Sequence, residues 1–585
     1  MASKQSLPPR QMYELKKKAQ EYYEQNGVPK KMEEILNSMF YDNPADVYGH
    51  LANYFGSFAV KPAITKVAAR EVLDSKGQIT LQAEVYGRVK NNEKLLSTAE
   101  CSNENFYPEH ARPEEKEAED EERKEAVASA LNFISGDMGA SVVSLDPTDQ
   151  AAVDAAILAV ITKIIEEKKK AEEETEVKEE AEPETERRAS LAEGSSAKAK
   201  AKGKAKGPAV EVIPDEPREQ LVPGCNAICA LSQAVCSAGA KVSDIDLYEH
   251  VAKLAGQSVD SLSLPTPMIT ILSAGRAGAG KAKGVKEFMI IPRHDMPITE
   301  VMKHSSNIFN IVGKSMAGKT PSGAIKLLND IGAVCPPIDR LEQGLDMLTD
   351  AISQIGLTVG QDFFFALNCA AHEVFDFEKG KYEAVTGQQK DGEGLAEVWA
   401  DIVNRYPAVV ALIDPLRKQD REAWTNLAEK ISKQCLIIGD FVLHRPGLLK
   451  EESLAEEVKT SGVVMKLEQM NSVSDIIAAS NKMKDENNHV VLGTSIGENT
   501  GSFLADLAVG IGARFLKTGG PCRGERVSKL NRVVQIEACL KESGKLKQKD
   551  SLNFPNLTPP PPPEGSESET KNTDPDKTDE QSQQT

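Results

Sequence analysis

The chain predicts an α/β protein, a parallel α/β barrel preceded by a smaller mixed α+β part. Three observations carry this. Between about residues 220 and 545, the short apolar runs FMIIP, DFFFALN, PAVVALIDP, CLIIGDF, GVVMKLE, HVVLGTS and ARFLKTG alternate with helical patterns. Strands of a parallel sheet are buried on both faces and read as such runs, separated by helices. Upstream, KVAAREVLDSKGQITLQAEVYGRV from Lys66 reads as strand, turn and strand, with Ser75-Lys76-Gly77 at the turn, and a helical region follows to about Glu167. Finally, 585 residues exceed one ordinary domain, so two or three with ample core are expected.

The charge balance narrows the function classes. With 70 basic and 89 acidic residues the net charge is −19, which argues against nucleic acid as a main partner. The start, MASKQSLPPRQ, has no apolar stretch of the kind that directs secretion, and runs such as AAVDAAILAVI are too short to span a bilayer. Nine cysteines are scattered without regular spacing, as buried free thiols in a reducing compartment would be. Cys225 and Cys229 lie in PGCNAICALSQAVCSAGA, whose small and apolar residues read as a packed helix rather than a metal pair. A cytoplasmic multidomain protein is expected.

Taken in order, the first element is a pair of short amphipathic helices. Val28, Met32, Ile35, Leu36, Met39 and Phe40 recur at helical spacing, and after Asp42-Asn43-Pro44 the pattern resumes with Val47, Tyr48, Leu51, Tyr54 and Phe55. Two such helices bury little surface alone, so self-association is the natural remedy. The stretch resembles the RII-alpha/Dpy-30 dimerisation and docking fold. That resemblance implies a four-helix bundle of two chains whose groove holds an amphipathic helix of an anchoring protein. Residues 166 to 207 are a charged, low-complexity insertion without an aromatic residue, expected to be disordered. Within it RRAS, 187 to 190, reads as a basophilic kinase target with Ser190 the acceptor. The tail holds five consecutive prolines, 559 to 563, and an acidic end. The divisions expected are a docking module over 1–60, an α+β domain over 61–165, the insertion over 166–207, the rest of that domain and a helical lead-in over 208–260, the barrel over 261–548, and the tail over 549–585.

In such barrels chemistry sits at the C-terminal ends of strands. The residues ending each run are Asn368, Ile413 with Asp414, Asp440, Lys466, Thr494 with Ser495, and Lys517. Several long stretches here resemble enolases: AAREVLDSKGQITLQAEVYG, PGCNAICALSQAVCSAGAKVSDIDLYEHVAKLAG, VKEFMIIP, KLEQMNSVSD and FLADLAVGIGARFLKTGGPCRGERVSKLNRVVQIE. The resemblance spans roughly residues 62 to 545, interrupted by the charged insertion. It implies an α+β N-terminal domain, an eight-stranded α/β barrel, and reversible dehydration of 2-phosphoglycerate to phosphoenolpyruvate. There a lysine removes a weakly acidic proton and Mg²⁺ carries the charge that builds on the intermediate.

Carried onto this sequence, the resemblance makes Lys466 the proton-abstracting lysine, with a pKa lowered by burial beside other cations. Lys517 falls where the substrate carboxylate is contacted, and Glu287, in KEFMI, where a substrate-side glutamate belongs. The three metal carboxylates fall on Asn368, Ile413 and Asp440, of which only Asp440 keeps a charge, leaving a weakened Mg²⁺ site. Asp414 is an uncertain substitute, because a regular strand turns it to the opposite face. The general acid falls on Ile331, and the arginine of the strand-end phosphate motif is absent from Gly493-Thr494-Ser495-Ile496. No serine equivalent can be placed in CSNENFYPEHARPEE. The family histidine falls in SAGRAGAGKAKG, which offers only Arg276, Lys281 and Lys283. The resemblance further implies a homodimer or a heterodimer with another enolase. With the docking module, it implies energy supply at a cytoskeletal or flagellar structure. The alternative is a catalytically impaired scaffold anchored in such an assembly.

Overall fold

The computed structural model describes residues 8–102, 113–180, 223–275, 278, 280–317, 328–443, 458–470 and 472–554. Ser190, Arg276 and the proline run lie outside these. Three helices open the chain: α1 (Pro9–Gln25), α2 (Val28–Asp42) and α3 (Val47–Gly56). The helix α1 adds to the two expected. Local chemistry sets the breaks. Gly27 at φ 65° separates α1 from α2, and Asn43 at φ 43° ends α2 in the left-handed conformation that asparagine tolerates. The Asp46 side chain caps α3 by accepting from the Gly49 amide at 2.9 Å.

The α+β domain is an antiparallel meander of β1 (Ala63–Leu73), β2 (Ile79–Val89) and β3 (Asn92–Cys101). Its first turn is tied by Asp74, whose Oδ1 accepts from the amides of Lys76 and Gln78 at 2.8 Å each. The helices Pro113–Ser135, Gln150–Glu180 and Asn226–Val242 join it in one core with Leu81, Val85, Ile134, Ile157 and Leu231. Cys225 and Cys229 are buried in this core, and all nine cysteines are free thiols. The run expected to lose order at 166 continues as helix to Glu180. Glutamate and lysine are good helix formers, and a helix already nucleated by the apolar Ala151–Ile165 segment extends through them.

The rest is a closed eight-stranded barrel in the order β10-β11-β12-β13-β14-β4-β5-β6. Its strands are β4 (Thr266–Ser273), β5 (Glu287–Pro292), β6 (Phe363–Asn368), β10 (Val409–Ile413), β11 (Leu436–Gly439), β12 (Gly462–Lys466), β13 (His489–Gly493) and β14 (Phe515–Gly519). A small excursion after β6 forms a separate sheet of β7 (Phe375–Asp376), β8 (Lys381–Val385) and β9 (Gln388–Lys390). The barrel is not wholly parallel: β5 runs antiparallel to both β4 and β6. The described residues of the link between β4 and β5 include no helix, and a parallel return needs a crossover, usually helical.

One apolar cluster fills the inside of the barrel, including Met268, Met289, Ile413, Ile438, Val464 and Phe515. A larger one lies between the strands and the surrounding helices. Leu552 and Phe554 pack against the inner cluster. The segment from Lys549 to Phe554, expected to belong to the tail, therefore closes the barrel mouth at the strands' N-terminal ends. Among the described residues no helix is long and apolar enough to cross a membrane.

Candidate active site at the barrel rim

The antiparallel strand explains how Glu287 enters the site. It begins β5, yet it pairs in register with Asn368, which ends β6, and with Ser273, which ends β4. Reversal of the strand thus brings its first residue to the rim where the others finish. Lys466 and Lys517 reach the same rim, paired from either side with Gly493 at the end of β13.

Glu287 is the best-held carboxylate there. Its Oε1 accepts from Lys517 Nζ and from Asn368 Nδ2, both at 2.7 Å, and its Oε2 accepts from Thr270 Oγ1 at 2.8 Å. Burial opposes its charge, but Lys517 and these hydrogen bonds outweigh burial and hold it down at about 2. The Asn368 amide nitrogen is therefore turned to Glu287.

The other half of the rim is thinner. Lys466 Nζ donates to Asp440 Oδ1 at 2.7 Å. Burial works against the lysine's charge, but Asp440 and Glu468 outweigh it, and Lys466 is held above the ordinary lysine value. This corrects the expectation of a lowered pKa: the expected neighbouring cations are offset by a carboxylate in contact. Asp440 is itself held low, against burial, by Lys466 and then Lys517, so both lysines act on one space. Ile413 is fully buried in the barrel's inner cluster. Asp414 leaves the strand conformation at φ 47°, and its two oxygens accept from the amides of Asp440 (2.8 Å) and Phe441 (2.7 Å). Burial and the charge of Asp440 push its carboxyl up to about 7. It supports the turn that presents Asp440 and does not replace Ile413.

The residues present do not fit the three-carboxylate Mg²⁺ set. Asn368 offers only a neutral amide oxygen, Ile413 offers none, and Asp440 is engaged by Lys466. Among the described residues no group of three or more His, Cys, Asp or Glu side chains could hold a metal.

Three features escaped the sequence. Ser102, at the end of β3, is buried with its Oγ 2.9 Å from Ser495 Oγ, and it donates to the Gly497 carbonyl at 2.6 Å. It docks the α+β domain on the rim, and nothing in the sequence marked it. His372 stacks on Phe441 with ring centroids 3.9 Å apart and planes 14° apart, and its neighbour Glu373 pairs with Lys286 at 2.6 Å. Burial holds the His372 imidazole down at about 4, leaving it neutral. Arg526, fully buried, donates to Thr494 Oγ1 at 2.9 Å and to the carbonyls of Ser495 (2.6 Å) and Ile496 (2.7 Å). It pins the loop that lacks an arginine of its own. The residue at the general-acid position, Ile331, contributes its carbonyl to the Gly520 amide at 2.7 Å. The Lys283 ammonium is turned back onto the Gly278 carbonyl at 3.2 Å.

The closed eight-stranded barrel agrees with comparisons to known proteins. A family model for the enolase C-terminal TIM barrel domain matches residues 261–553. Enolase 4 of Xenopus tropicalis is 39% identical, over 94% of this chain and 95% of its own length. The chain belongs to the enolase family. Enolase 4 of Xenopus laevis is 35% identical over 94% of this chain and 96% of its own length. An enolase of Solanum lycopersicum is 33% identical over 54% of this chain and 70% of its own length. The similarity to the two enolase 4 proteins thus covers nearly the whole chain, whereas the plant enolase match covers little more than half of it.

Proposed function

We propose that the barrel rim is a weakened enolase-type dehydratase site that takes a small phosphorylated hydroxy acid such as 2-phosphoglycerate. The observation that supports this is the convergence of Lys466 and Lys517 on one rim, each held by a buried carboxylate. Lys517 offers a fixed cation for the substrate carboxylate. Lys466 is the proton acceptor, and to act it must lose both its contact with Asp440 and a proton. Its raised pKa makes that rare at neutral pH, and with Ile331 at the acid position the departing hydroxide takes its proton from solvent, so turnover is slow. Asn368 and Thr270 orient Glu287, which in turn positions Lys517. Mg²⁺ has only Asp440 and the substrate's own oxygens to rest on, so no step is assigned to it.

The test is 2-phosphoglycerate dehydration by the purified chain in excess Mg²⁺, with Lys466→Ala and Lys517→Ala beside it. Slow turnover abolished by Lys466→Ala supports the proposal. Turnover unchanged by that substitution would sink Lys466 as the base, and none from a folded chain would sink the proposal in favour of an anchored scaffold.

A separate observation favours an anchoring role. The helices α1 to α3 expose Phe40 at 81%, Tyr41 at 84% and Tyr48 at 83%, with Met32, Leu36 and Phe55 also exposed. So much apolar surface on three short helices calls for a covering partner, and we propose a second copy of this chain, the paired module then receiving an amphipathic helix. Sedimentation of the chain beside Phe40→Asp/Tyr48→Asp decides it. A dimer that becomes a monomer supports the proposal, and identical sedimentation overturns it.

A further inference from the structure

The barrel mouth opposite Lys466 and Lys517 contains a cavity of about 220 Å³. Lys484 lines it from the helix Val473–Asp485, His489 from the start of β13, and Arg514 from just before β14. Lys547, Lys549 and Asp550 line it from the closing segment. Four cations thus face one carboxylate.

Their hydrogen bonds go to neutral oxygens. Lys484 donates to the Ile511 carbonyl, Lys549 to that of Pro265 at 2.9 Å, and Arg514 to those of Asp550 and Ser551 at 3.0 Å each. His489 Nε2 lies 3.2 Å from the Asn553 carbonyl. Arg514 Nε is buried without a partner among the described residues, and Lys547 is exposed. The nearby carboxylates give little relief. Asp485 points to solvent, and Glu537 is paired with Lys541 at 3.0 Å. Burial, then the charge of Arg514, pushes Lys549 down to about 7, and burial lowers Lys484 and Arg514 as well. Cations gathered around a void and satisfied only by carbonyls are what an oxyanion relieves, through short charge-assisted bonds.

We propose that this cavity binds a small phosphate-bearing anion. At about 220 Å³ it lies below the roughly 300–1,000 Å³ of drug-sized ligand pockets. That suits inorganic phosphate or a short phosphate monoester better than a dinucleotide. The anion would bridge β13, β14 and the closing segment, so binding would clamp Lys549–Phe554 over the mouth. The site is independent of the rim and of whether the rim turns over.

The experiment is isothermal titration of the full chain with inorganic phosphate, and separately with glycerol 3-phosphate, at constant ionic strength. Lys517→Ala controls for binding at the rim. Lys547→Gln tests the cavity without touching a buried group, and Lys547→Gln/Lys549→Gln removes two of its cations. We expect one phosphate per chain in the wild type and in Lys517→Ala, with several-fold weakening in the single cavity variant and tenfold or more in the double. Tighter binding of glycerol 3-phosphate assigns the site to a monoester, and equal binding to the free ion. Undiminished affinity in Lys547→Gln, loss of binding in Lys517→Ala, or binding of neither probe overturns the proposal.

Discussion

The two halves of the rim each contain one lysine and one surviving carboxylate, but they are built differently. On the β4–β5–β6–β14 side, Glu287 is held by Lys517, Asn368 and Thr270 within 2.8 Å. On the β10–β11–β12 side, Asp440 meets Lys466, Ile413 is apolar, and Asp414 is turned to backbone amides. In the first half the carboxylate has three partners; in the second the ion pair stands beside the apolar Ile413. The Glu287–Lys517 half of the rim is thus tied together by several short bonds, while the Asp440–Lys466 half rests on one.

The sharpest way to break this contrast is Glu287→Gln. Glu287 and Lys517 expose only 4% and 11% of their side chains, so the substitution leaves a buried ammonium without its counter-charge. A loss of about 3–5 kcal/mol is expected by chemical denaturation. Asp440→Asn, whose Lys466 partner keeps 20% exposure, should lose less, about 1–3 kcal/mol. Equal losses would mean that the two halves are not built differently after all. A double variant, Glu287→Gln/Lys517→Met, should recover most of the first loss by removing the stranded charge.

A smaller effect tests the Ile413 position itself. Ile413→Asp places a carboxylate between Asn368 and Asp440, with which Ile413 shares neighbouring strands. The variant should melt earlier than the wild type without Mg²⁺ and regain about 1–2 kcal/mol at Mg²⁺ some tenfold above its dissociation constant, as a ligand binding only the folded state requires. Scanning calorimetry with and without Mg²⁺ reads this. A wild type stabilised as much as the variant would show that the thinned half already holds the ion.

Much of this was legible in the chain itself. The apolar runs ending in Asn368, Ile413, Lys466 and Lys517 marked the barrel because buried parallel strands need such runs. The residues at their ends marked the rim for the same geometric reason. What could not be read depends on direction and on partners distant in sequence. Nothing in KEFMIIP says that β5 runs backwards, so Glu287 could be placed only through resemblance. The sign of the Lys466 shift rests on Asp440, 26 residues away, arriving at 2.7 Å. Ser102 and Arg526 act through backbone carbonyls, which no side-chain pattern records. The closing segment was missed because Leu552 and Phe554 are too few to form a periodic signal, though they cover the inner core.

The smallest expected effect concerns His372, which sits over the thinned half on Phe441. Its imidazole is held at about 4 against an ordinary histidine value near 6.5, chiefly because burial disfavours the charged ring. The unfolded chain therefore binds a proton there before the folded one does. Above pH 6.5 neither state is protonated at this site and the stability it contributes is complete; it is lost as pH falls from 6.5 toward 4. Phenylalanine at this position keeps a flat ring against Phe441 and removes the proton. Melting curves of His372→Phe between pH 7 and pH 4 should fall less steeply than those of the wild type, with little change at pH 7. The ring's 28% exposure keeps the difference modest. Parallel profiles would mean that His372 is already solvated enough to titrate normally, and that the thinned half of the rim is open to water above Asp440 rather than covered by the stacked pair.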